Sequence, residues 1–105
     1  MDRVSDEALM WAKMRERARA TNLARTDQIE PALADGAPRE VVDAGRAVAH
    51  SVAGAAGTFG YDEASRLARQ IEHALEDALR SEAPAPASLR DDLVALRAEL
   101  QPTDA

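Results

Sequence analysis

Apolar residues recur at three- and four-residue spacings along most of the chain, the pattern of helices that each bury one face. The clearest runs are Val41, Ala44, Val48, Val52, Ala55 and Phe59, then Ala64, Leu67, Ala68, Ile71, Leu75 and Ala78, then Leu89, Leu93, Leu96 and Leu100. Nearer the N-terminus, Trp11, Met14, Ala18 and Ile29 fall within about 60° of one another at about 100° per residue. Helix-end signals separate these runs. Ser5 followed by Asp6 and Glu7 predicts a capped helix start. Pro31 predicts a kink or a restart and Ala34-Asp35-Gly36 an exit, so residues 5–35 form either one bent helix or two short ones. Pro38 suits the first turn of a helix that runs to about Phe59 and is ended by Gly60. Asp62 and Glu63 open a third helix that stops near Arg80. The run Ala83-Pro84-Ala85-Pro86-Ala87 is a stiff connection, and Ser88 with Asp91 resembles a capping box for the last helix, which ends before Pro102. The expected fold is all-α: an antiparallel four-helix bundle with an extra or kinked helix at the N-terminus, in one domain over residues 1–105 with its core at about 5–101.

Composition sharpens that expectation. The 105 residues include 24 alanines and only three aromatic residues, Trp11, Phe59 and Tyr61, so small side chains fill most apolar positions and favour closely packed helices. The net charge of −6 opposes attraction to phosphate backbones or anionic lipid, so nucleic acid and membrane surfaces are not expected partners. The absence of cysteine removes disulfides, thiolate zinc sites and cysteine nucleophiles. The longest apolar stretch, Ala47 to Gly60, holds His50 and three glycines and is too short to span a bilayer. The first residues carry charges and no apolar leader core, so a cytoplasmic location is expected.

Candidate chemistry centres on the second helix. With Val41, Val48, Val52 and Phe59 taken as the core face, His50 projects about 190° away and is expected to be exposed. Arg46, Ala53, Gly54 and Gly57 stand at i−4, i+3, i+4 and i+7 from it, which strips the C-terminal side of bulk. A glycine inside a helix costs about 1 kcal/mol relative to alanine. Gly45 lies near the core face, where it permits close helix packing, but Gly54 and Gly57 point to close approach by something external. An exposed neutral imidazole is a nitrogen nucleophile, or an inert surface group. No metal is expected, because His73 lies on another helix and no paired-histidine spacing occurs. His73 itself reads as a plain surface residue. Arg15, Arg17, Arg19 and Arg25 read as a solvated face, and Trp11 and Met14 as core.

The stretch Ala49-His50-Ser51-Val52-Ala53-Gly54-Ala55-Ala56-Gly57-Thr58-Phe59-Gly60, followed by Ala64, Leu67, Ala68 and Ile71-Glu72, resembles the signature of histidine-containing phosphotransfer domains, which are four-helix bundles of this size. The close match covers about 25 residues. His50 matches the phosphorylated histidine, Val52 the hydrophobic position, Gly54 the glycine behind it and Gly60 the closing glycine. The family's usual lysine is replaced by Ala53, and Arg46, one turn before His50 on a longer stem, is the candidate for a substitute cation.

The resemblance implies a phosphorelay intermediate that accepts a phosphoryl group on His50 from a receiver-domain aspartate and passes it to another receiver. It implies response-regulator receivers or a hybrid histidine kinase as partners, a phosphocarrier without an ATP site of its own, no resident cofactor, and magnesium held by the receiver; a monomer is the expected state, although the sequence leaves oligomerisation open. Gly54, with Ala53 and Gly57 widening the opening, would let the aspartyl phosphate reach the imidazole, whose reactive atom by analogy is Nε2. The alternative is a non-catalytic bundle of the same kind that binds a receiver or other signalling protein as adaptor or inhibitor, a reading that draws on Ala53.

Overall fold

The computed structural model describes residues 3–103. Among them are four α-helices and no strand: α1 (Arg3–Ile29), α2 (Arg39–Thr58), α3 (Asp62–Ser81) and α4 (Leu89–Glu99), with a 3-10 turn at Glu30–Leu33 continuing from α1. Neighbours run antiparallel: α1 meets the end of α2 at Arg15 and Phe59, α2 meets α3 at His50 and Glu72, and α4 returns to α1 at Arg19 and Leu100.

Residues 5–29 therefore form one helix, and Pro31 opens the 3-10 turn that follows it. The proline ring takes a first-turn position, where its missing N–H costs nothing. Gly36, at φ +71°, then reverses the chain toward Pro38. Gly60, at φ +83°, does the same between α2 and α3. Two capping expectations are corrected. Helix α1 already includes Arg3, so Ser5 stands inside it; neither Arg3 nor Val4 is a helix breaker. Ser88 has helical torsions (φ −61°, ψ −19°) and its side chain makes no capping bond. The turn begun at Pro86 runs straight into α4, so Ser88 lacks the extended backbone that would bring its hydroxyl onto the first-turn N–H groups.

The core follows the predicted stripes on α3 and α4, where Ala64, Leu67, Ala68, Ile71, Leu75 and Ala78 face Leu89, Leu93, Leu96 and Leu100 across a common interior. Helix α2 departs from expectation. Its buried residues are Gly45, Ala49, Val52, Ala53 and Ala56, while Val41, Val48, Ala55 and Phe59 are only half-buried and Ala44 is exposed. The helix is thus turned by roughly 80° from the face that its larger apolar residues define. The small residues go inside because they let the 3-10 turn and α3 come close. A Cβ on Gly45 would overlap the Cβ of Ala32, and one on Gly57 would stand 3.1 Å from Oγ of Ser65.

Helix α1 also corrects two readings. Trp11 and Met14 are 49% and 48% exposed, because α1 runs on past the α2–α3 turn and leaves its first turns without a neighbour to cover them. Trp11 instead lies on Phe59 with ring centroids 5.1 Å apart. Arg19 is only 8% exposed; its Nη1 donates to the Leu100 carbonyl (2.6 Å) and its Nη2 pairs with Glu16. Arg15 donates to the Phe59 carbonyl (2.8 Å) and covers the Tyr61 ring. Arg25 donates to the Asn22 side chain. Arg15 and Arg19 are therefore fastened to other parts of the bundle and Arg25 to its own helix, leaving Arg17 solvated without a partner among the described residues.

Two glycines of α2 predict opposite outcomes. Gly45→Ala gains helix propensity but forces overlap with Ala32, and is expected to destabilise the fold by about 1–3 kcal/mol in urea unfolding. Gly54→Ala meets nothing within 4 Å and is expected to stabilise it by about 0.5–1 kcal/mol.

Candidate functional site

The same rotation of α2 decides where His50 points. Relative to the observed buried face it projects about 115°, not 190°, onto the flank of α2 that borders α3. Its side chain is 69% exposed, yet its Nδ1 lies 2.7 Å from Oε2 of Glu72 on α3, a carboxylate whose own side chain is only 8% exposed. The two helices form a hairpin around Tyr61 that puts residues eleven before and eleven after it side by side, as it also does for Gly57 and Ser65 four residues to either side. Ser65 ties the hairpin tightly by donating its hydroxyl to the Ala53 carbonyl (2.7 Å).

A carboxylate accepts and cannot donate, so the neutral His50 ring donates through Nδ1–H to Glu72. That leaves the lone pair on Nε2, the nitrogen across the ring from the buried acid. Glu72 thus does two things: it fixes the tautomer, and it places a negative charge beside the ring that favours any positive charge the imidazole acquires. On the far side of His50, Gly54 presents bare backbone, with nothing within 4 Å of the place a Cβ would occupy. The result is a nucleophilic nitrogen on an open surface, held from behind by a buried acid.

The other candidate residues separate. Ala53 is corrected: at 2% exposure it belongs to the core under α3, because i+3 from His50 falls on the inner side of the rotated helix, and it does not widen the surface. Gly57 is exposed, but its missing Cβ makes room for Ser65, so it serves the α2–α3 approach. Arg46 is half-buried and its Nε donates to Asp43 (2.9 Å), one turn farther from His50. His73 is exposed on the outer side of α3, as expected. Among the described residues no group of three potential ligands is arranged to hold a metal ion. Among the described residues no helix is long and apolar enough to cross a membrane.

Glu72 is the residue that the spacing argument overlooked as chemistry. Its signal was present: an acid at the edge of the α3 apolar stripe, between Ile71 and Leu75, at a distance from the Gly60-Tyr61 turn equal to that of His50.

Comparison with family models matches residues 13–102 to the Hpt domain. No curated protein and no solved structure gives a significant match.

The hydrogen bond to Glu72 has a direct spectroscopic consequence. In long-range ¹H–¹⁵N spectra of the neutral ring, His50 is expected to carry its proton on Nδ1, with Nε2 showing the shift of an unprotonated nitrogen. Glu72→Ala is expected to abolish that bias, and His73, which lacks such a partner among the described residues, serves as the internal reference.

Proposed function

The chain belongs to the Hpt domain family, and we propose that His50 is its phosphoryl-accepting residue in a phosphorelay between receiver domains. Histidine phosphotransfer within phosphorelay signalling, through interaction with receiver domains, is what the family does. The single observation that carries the assignment to His50 is the pairing of its Nδ1 with buried Glu72, which leaves Nε2 as an outward nucleophile.

In the proposed step, Nε2 attacks the phosphorus of a receiver's aspartyl phosphate in line with the bond to be broken. The N–P bond forms as the P–O bond to the aspartate breaks, and the aspartate leaves as a carboxylate. The ring becomes cationic while its proton stays on Nδ1, and Glu72 stabilises that charge at a cost already met in folding. Transfer to a second receiver runs the same step in reverse. Gly54 lets the receiver's phosphate descend to the ring. Magnesium belongs to the receiver in this reading and the chain contributes no ligands to it. The position that the family fills with lysine is here Ala53, inside the core, and in this reading Arg46 supplies a substitute cation once its guanidinium turns from Asp43. Such a carrier works in the cytoplasm, beside its receivers.

The missing cation at position 53 favours a second reading, in which the bundle binds a receiver without turnover. One experiment separates the two. Purified protein is incubated with a phosphorylated receiver from the same organism, and acid-labile, alkali-stable label is followed. Uptake by the wild type and none by His50→Gln is the expected outcome. Glu72→Ala is expected to slow uptake about ten- to a hundredfold through lost ring orientation, while receiver binding is unchanged. Binding with no label on the wild type would establish the adaptor reading.

A further inference from the structure

Helix α1 carries an exposed face on the side of α2 opposite the His50–Glu72 pair. Every residue from Ser5 to Met14 is exposed, and the first six of them, Ser5 to Met10, precede the Trp11–Phe59 contact and stand clear of the bundle. A helical segment that short is marginal in water without a packing partner. It nevertheless bears Met10 at 61% exposure, beside Trp11 and Met14, which are about half exposed. At about 100° per residue, Glu7, Met10, Met14 and Arg17 share one face within about 80°, roughly 120° from the face that Arg19, Asn22, Thr26 and Ile29 bury.

That face is self-complementary. When two copies of it are laid antiparallel about a two-fold axis near position 12, Glu7 of each copy opposes Arg17 of the other and Met10 opposes Met14. The order of acid, apolar, apolar and base along the helix is what such an axis requires, since every contact then occurs twice. The face also leads into a groove. Met14 and Arg17 line a cleft of about 320 Å³ between α1 and the C-terminal half of α2, with Ala18, Thr21, Ala55 and Phe59. The free-standing turns of one copy would lie along the rim of this cleft in the other.

We propose that the chain forms a two-fold dimer in which the N-terminal halves of two α1 helices pair antiparallel, each projecting segment seated against the α1–α2 cleft of its mate. His50 lies on the opposite flank of α2, toward α3, so both imidazoles stay open in the dimer. The contact is one helix face and a cleft rim, at the small end of specific interfaces, and the association is accordingly concentration-dependent.

Sedimentation equilibrium of the full chain between about 5 and 500 µM tests this, with far-UV circular dichroism to show that each variant keeps its helices. The wild type is expected to move from 11.3 kDa toward twice that mass. Glu7→Arg and Arg17→Glu each place like charges together at two symmetry-related points, and each is expected to weaken the dimer at least about tenfold. The double variant Glu7→Arg/Arg17→Glu restores opposite charges and is expected to recover it. A wild type that stays monomeric over the whole range, or single reversals without effect, or a double variant that fails to recover the dimer, would overturn the proposal.

Discussion

Small side chains along the contact between α2 and α3 allow the two backbones to approach until the Ser65 hydroxyl bonds directly to the Ala53 carbonyl. Ala49, Ala53, Ala56 and Gly57 on one helix, and Ala64, Ser65 and Ala68 on the other, leave no bulk to hold them apart. Glutamate has a short reach. Only with the helices this close can Glu72, itself buried, touch the ring of a histidine that remains mostly in water. Any larger residue in the seam would separate the pair, and the imidazole would become one more surface group. The site therefore depends on packing before it depends on electrostatics.

That dependence explains what could be read in the sequence and what could not. The α3 and α4 stripes were legible because leucine and isoleucine at regular spacing have only one sensible place to go, and burying each is worth about 1.5–3 kcal/mol. The exposure of His50 and the bare surface at Gly54 were legible for a similar reason, since both sit far from every large apolar side chain. On α2 the same logic misled. Val41, Val48 and Phe59 are the larger residues, yet they cover the flank toward α1, and the alanines and Gly45 take the interior because close approach of neighbouring helices buries more in total than a wider core would. The error of about 80° carried Ala53 from core to surface, and it hid the acid that faces His50 across the seam.

Helix α1 shows a different limit. Its arginines are charged, and a periodicity argument sends charge to solvent, but Arg15 and Arg19 find backbone carbonyls at Phe59 and Leu100 that the ends of α2 and α4 leave unpaired. Such partners exist only once the bundle is assembled. The guanidinium groups thus join α1 to two helix ends, Trp11 lies on Phe59 just before them, and Leu9 and Met10 stand beyond that contact. A chain with few large side chains exposes two of its methionines and its only tryptophan along this part of α1, on the flank of α2 away from His50.

The central claim is that Glu72 holds one nitrogen of His50 so that the other reacts. Phosphorylating ¹⁵N-labelled protein with phosphoramidate and reading the ³¹P–¹⁵N coupling tests it at the atom concerned. Phosphorus on Nε2 of His50 is the predicted result; phosphorus on Nδ1, or on His73 in preference to His50, would contradict it.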